Sequence, residues 1–101
     1  MNVTSLPIKI SLEQIEQFCQ RNHIRKLSLF GSVLRNDFTS KSDVDVLVEF
    51  EDGKTPGLAI VTMTNELEAM IKRDVDLRTP HDLSCYFREQ VLSEALTIYE
   101  R

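Results

Sequence analysis

The stretch DVDVLVEF, positions 43 to 50, constrains this chain more than any other. Val44, Val46, Val48 and Phe50 alternate with Asp43, Asp45, Leu47 and Glu49. Side chains on a β-strand point to opposite faces every second residue, so the spacing predicts a strand with a valine face and an aspartate face. The valines belong in a core. The aspartates then look toward solvent or a cleft, side by side. Two like charges at this separation repel, so the pair needs a compensating cation or ample water.

The rest of the pattern supplies partners for such a strand. Ser11 with Gln14 fits a capping box, and Ile10 with Ile15 a hydrophobic staple, at the start of a helix. Its apolar stripe would be Leu12, Ile15, Phe18 and Cys19, with Asn22 as the stop. Residues 27–30 read as a short strand ending at Gly31-Ser32, and residues 33–42 as a helical turn followed by a loop. EDGKTPG is a turn-rich loop. Residues 58–72 carry Ile60, Val61, Met63, Thr64, Leu67, Met70 and Ile71 near helical spacing. In RDVDLRTP, Val75 and Leu77 face one way and Asp74 and Asp76 the other, with Pro80 closing the strand. Residues 80–96 read as mostly helical, with Leu83, Phe87, Val91, Leu92 and Ala95 as the buried stripe, and residues 96–99 as a last strand. The expected architecture is an α/β (α+β) domain: a small mixed sheet with helices packed on one face and the other face open.

At 101 residues the chain suffices for one domain, 1–101, with no second domain expected. Its formal charge of -4 disfavours a nucleic-acid binder that works by neutralising phosphates, so no direct nucleic-acid binding is expected. No apolar run reaches the length of a membrane span and no signal-peptide pattern opens the chain. Two cysteines, Cys19 and Cys85, make no disulfide framework, and a reduced, cytoplasmic setting is expected.

The chemistry gathers around the two aspartates. Hard divalent cations such as Mg²⁺ take oxygen ligands and leave room for waters and substrate phosphates. Two carboxylates are too few for a closed cage but suit a site where a nucleotide completes the shell. A third carboxylate from a neighbouring strand would let two metal ions bracket an in-line displacement at phosphorus. Asp76 is the best candidate, with Asp74 as the other choice. Gly31 and Ser32 offer N–H groups and a hydroxyl for phosphates, and Arg35 a forked donor.

Together, GS, the arginine, SDVDVLVEF and the later VDL resemble the minimal nucleotidyltransferases of the DNA polymerase beta superfamily. The likeness runs from about residue 27 to the C-terminus, where TPHDLS and FREQVLSEALTIYE also resemble the family's ending. A polymerase-beta-like fold is implied. So is Mg²⁺-dependent transfer of a nucleoside monophosphate, AMP from ATP, to a hydroxyl, with two metal ions. By resemblance Asp43, Asp45 and Asp76 are the metal ligands and catalytic carboxylates, and Asp76 helps deprotonate the acceptor. Gly31, Ser32, Arg35 and Ser42 of the Ser-Asp-x-Asp run make the nucleotide site. Asn36 departs from the family, where glycine is common. Relatives of this type are often paired with a HEPN-domain ribonuclease toxin, which some neutralise by transferring AMP to a tyrosine; the same antitoxin role and partner are implied here.

Plainer readings stand beside these. An Asp-x-Asp strand alone is more often a solvated edge, a lone Gly-Ser a turn, and Arg35 equally a surface arginine paired with Asp37. His23 and His81 lack partners at ligand spacing; Cys19, Met63 and Met70 suit a core; Tyr86 and Tyr99 suit burial with one wet end. Two rival functions remain at this level. One is an antitoxin acting by contact alone, with a residual nucleotide site. The other is an aminoglycoside-type enzyme modifying a small molecule, whose relatives usually add a second domain.

Overall fold

The computed structural model describes residues 6–35, 37–54 and 57–101. The Asn36 departure therefore lies outside the described residues, as do part of the lead-in and part of the EDGKTPG loop. The elements run α1 (Leu12–Arg21), β1 (Ile24–Phe30), a 3₁₀ turn (Gly31–Leu34), β2 (Val44–Phe50), α2 (Ala59–Ile71), β3 (Val75–Arg78), a second 3₁₀ turn (Pro80–Asp82), α3 (Arg88–Glu94) and β4 (Leu96–Glu100). The sheet order is β3-β2-β1-β4. β1 pairs antiparallel with β2 and β4, while β2 and β3 are parallel, so the sheet is mixed as expected.

β2 is central and obeys its alternation. Val44, Val46 and Val48 are fully buried. Val46 and Val48 sit opposite Leu29 and Leu27 of β1, and α1 and α2 close the same core with Ile15, Phe18, Cys19, Met63, Leu67 and Ile71. Burial of this apolar face is what holds α1 and α2 to the sheet, since helices of 10 and 13 residues are marginal by themselves. Ser11 caps α1 through its hydroxyl, which accepts from Gln14 N–H at 3.3 Å, and Asn22 Nδ2 donates back to Phe18 O at 2.8 Å. α2 closes at Lys72 in the left-handed region (φ 61). No helix among the described residues is long and apolar enough to cross a membrane.

Several expectations need correction. Leu12 leaves the stripe of α1 and is 49% exposed. β1 begins at Ile24, earlier than residue 27, because Ile24 is itself core and pairs with Phe50. Residues 80–96 are not one helix. Pro80 starts a 3₁₀ turn instead, in which Asp82 accepts from Thr79 N–H at 3.1 Å, and α3 spans only seven residues with none buried. Leu83, Val91 and Ala95 are half-buried, while Phe87 and Leu92 are exposed, and Tyr86 is exposed rather than buried. The open face is not bare either: Leu47 and its cross-strand partner Ser28 are both buried on the aspartate side.

Candidate active site

The parallel pairing of β2 with β3 decides the site. It sets Asp45 directly beside Asp76, with Val44 beside Val75 and Val46 beside Leu77. Asp43, exposed in the last step before β2, lies on the same side as Asp45. Asp74 stays outside β3, exposed, and its backbone carbonyl accepts from Val44 N–H at 2.8 Å. The β2–β3 pairing thus brings Asp76 into line with the DVD pair, while Asp74 serves the backbone.

Asp45 feels its neighbours. Partial burial first, then Asp76, then Asp43, push its carboxyl above the ordinary carboxylate range, while Arg78 and Arg35 pull it back. The compensating cation sought from the sequence is Arg78. It stands two residues beyond Asp76 on the same face, and its Nε and Nη2 donate to the two carboxylate oxygens of Asp76 at 2.9 and 3.2 Å. The period-two rule applied to RDVDLRTP places Arg78 on the face of Asp76 from sequence alone.

Gly31 follows β1 at φ 78 and lies against Asp45. A Cβ there would sit 3.1 Å from Asp45 Cγ and would overlap Oδ2 outright. Glycine is required twice, for its left-handed backbone and for the space that lets Asp45 lie against the chain. No side chain caps the turn that begins at Gly31, and Ser32 beside it is half-exposed. This turn is 3₁₀ and only four residues long, so any end-dipole is small.

Arg35 is exposed and its Nε donates to Asp37 at 3.3 Å, the plainer of its two readings as the side chain lies. Ser42 serves its loop: its hydroxyl accepts from Thr39 N–H at 2.9 Å. Arg73 pins the same loop, donating to Thr39 O at 2.6 Å and Ser42 O at 2.9 Å, with its guanidinium 4.5 Å from the Phe38 ring centre. Those contacts span more than thirty residues, and no local pattern announces them. An open groove of about 890 Å³ begins at Gly31 and Arg35 and runs past Phe30 and Leu34 to Phe87 and Val91.

Among the described residues, no group of three acidic, histidine or cysteine side chains is arranged to hold a metal ion as it stands. Arg78 occupies Asp76, and Asp43 stands out in solvent. The donor chemistry still fits a hard divalent cation: oxygen-only ligands on adjacent strands, one of them raised in pKa by partial burial and then by the other two.

A mixed four-stranded sheet with a glycine turn packed against the first of two aspartates on neighbouring strands defines a nucleotidyltransferase. The family model "Polymerase beta, Nucleotidyltransferase" matches residues 13–101, and the chain belongs to that family. The chain is similar to the protein adenylyltransferase MntA of Thermococcus cleftensis, 31% identical over 98 residues, covering 88% of this chain and 97% of that one. A solved "putative minimal nucleotidyltransferase" matches with a TM-score of 0.70 at 35% identity, covering 84% of this chain and 86% of its own. A complex of the tri-AMPylated HEPN toxin of Shewanella oneidensis with its MNT antitoxin contains a chain of the same fold, with a TM-score of 0.64 at 21% identity, covering 89% of this chain and 70% of that one.

Proposed function

We propose that this enzyme transfers AMP from ATP to a tyrosine hydroxyl of a HEPN-type toxin, and acts as the antitoxin of that pair. The observation that carries the reading is Asp45 packed against Gly31 and paired in register with Asp76 of the neighbouring strand. A carboxylate pushed up by burial and two like charges is costly unless it has work to do. The relative named protein adenylyltransferase and the AMPylated HEPN complex supply the transferred group and the kind of acceptor.

In this reading Asp43, Asp45 and Asp76 would hold two Mg²⁺ ions. When bound, the ions supply charge neutralisation for the triphosphate and lower the pKa of the acceptor hydroxyl. Gly31 and Ser32 donate N–H groups, and Ser32 its hydroxyl, to the β- and γ-phosphates. Arg35 leaves Asp37 to join them, which costs little because that pair is exposed. Ser42 shapes the approach to Asp43 through its loop. Asp76 accepts the proton of the attacking tyrosine; a bond forms from the tyrosine oxygen to the α-phosphorus, and the bond to pyrophosphate breaks.

The test is direct. Incubating the chain with the protein encoded by its neighbouring gene, Mg²⁺ and ATP should add adenylate to that protein, read as intact mass. The gain should vanish in Asp43→Asn. Inhibition of the toxin with no mass change, equal in Asp43→Asn, would establish the contact-only antitoxin instead.

A further inference from the structure

Arg78 is a charged side chain on the carboxylate face that the reaction as written leaves idle. Both oxygens of Asp76 are taken by its fork, at 2.9 and 3.2 Å. With one lone pair on each oxygen engaged by Arg78, Asp76 is a weaker ligand for a cation and a weaker base toward a substrate than a free carboxylate. Yet Arg78 is not locked in place. Its side chain is 47% exposed and that of Asp76 37%, and among the described contacts its donors go to Asp76 alone. A two-point fork is the stronger kind of surface pair, but both side chains reach solvent, which screens it and leaves it open to exchange.

We propose that Arg78 is an exchange arginine: it neutralises Asp76 in the ligand-free enzyme and passes to the nucleotide phosphates when cations take the carboxylates. The proposal rests on the nucleotidyltransferase reading of this site and assigns the site a further phosphate ligand. The physics is a change of partner. Metal-free, the face carries three carboxylates, Asp43, Asp45 and Asp76, and Arg78 relieves their repulsion. One divalent cation there would cancel most of that charge, and the two of the proposed reaction would reverse its sign, so the guanidinium loses its attraction to the face. The Asp82 carboxylate, whose charge Arg78 already feels, and the entering triphosphate are then the competing anions, and a guanidinium matches phosphate in two-point geometry. Arg78 stands on the strand that carries Asp76 and its side chain is partly exposed, so it is free to change rotamer.

This role has a signature of opposite signs. Arg78→Gln removes the competitor for Asp76, so Mn²⁺ alone, followed by loss of the free-ion EPR signal, should bind about threefold more tightly. At saturating Mn²⁺, the same variant should bind the non-hydrolysable ATP analogue AMP-PNP about tenfold more weakly, read by calorimetry. Arg78→Lys should fall between. Far-UV circular dichroism and a melt confirm that each variant is folded. A residue that merely braces the strand would weaken both affinities together, and that result overturns the proposal, as does no change in either. Asp45→Asn serves as the control for the underlying reading. If the wild type binds Mn²⁺ and AMP-PNP and Asp45→Asn loses both while Arg78→Gln changes neither, the exchange role fails and the reading stands. If the wild type binds neither ligand, the reading fails and takes the exchange role with it.

Discussion

The two faces of β2 share one backbone and solve opposite problems. On one face Val44, Val46 and Val48 vanish into the core against β1 and α2, and each is interchangeable in chemistry with any apolar residue of its size. On the other, Asp45 is fixed by particular neighbours: a glycine that must be glycine, a parallel strand that delivers Asp76, and an arginine two residues further on. The first face is defined by what it excludes. The second is defined by distances, and a single methyl group disturbs it.

Moving a charge by one position should separate the faces most sharply. Val46→Asp puts an unpaired carboxylate at a site with no exposure, between Leu29 and Leu77. The cost is several kcal/mol, comparable to the ~5–15 kcal/mol that holds a domain together. Loss of the far-UV signal or of a cooperative melt is the expected outcome. Asp45→Val, one residue away, should stay folded and lose transfer; an unfolded Asp45→Val would mean that the aspartate face is structural.

Gly31→Ala tests the methyl directly. Its backbone would have to keep φ 78, and its Cβ would overlap Asp45 Oδ2. The strain costs about 1–3 kcal/mol, read as a lowered melting temperature. Transfer should fall more steeply than stability, because Asp45 is the atom displaced. Equal transfer rates in Gly31→Ala and wild type would show that the glycine serves the turn alone.

The repulsion at Asp45 should appear as a pH signature in the metal-free protein, kept so with a chelator. Its folded carboxyl is raised above the ordinary 3.8, so the native state holds its proton more tightly than the unfolded chain does. At pH below that value both states are protonated and the group contributes nothing. As pH rises through it, the unfolded chain ionises first and stability is lost until the folded carboxyl ionises too. Asp45→Asn should therefore melt higher than wild type at neutral pH, with the difference closing toward pH 3. A difference that stayed constant with pH would place the effect in shape rather than charge.

How far the sequence carried differs between the faces for the same reason. Alternation over Asp43 to Phe50 marks both faces, and parity in DVDL put Asp76 on the right side of its strand before any pairing was known. What parity could not give was which strand lies beside which. The neighbouring of β3 to β2, and the reach of Arg73 back to Thr39, are long-range facts decided by packing. The C-terminal misreading has a local cause. Leu83, Phe87 and Val91 do recur at helical spacing, but Pro80 and the Thr79–Asp82 cap give the backbone a tighter turn, and periodicity does not register that competition. Leu47 misleads in the reverse direction: an apolar residue among acidic ones was the sign that the aspartate face is partly covered, as its burial with Ser28 confirms.

The smallest effect belongs to Arg35, and it bears on the comparison because this residue borders both the site and open solvent. Its pair with Asp37 is exposed on both sides, 62% and 66%, and such pairs contribute at most ~1 kcal/mol. Arg35→Ala should leave the melting temperature of the ligand-free protein within error of wild type. If the arginine swings to the phosphates, the same variant should bind AMP-PNP several-fold more weakly at saturating Mn²⁺, as Arg78→Gln does, but with no gain for Mn²⁺ alone, because Arg35 blocks no carboxylate of the triad. That last difference separates the two arginines: one only receives the nucleotide, and the other must first release Asp76. Unchanged nucleotide affinity in Arg35→Ala would return Arg35 to the surface and leave Arg78 as the arginine that meets the phosphates.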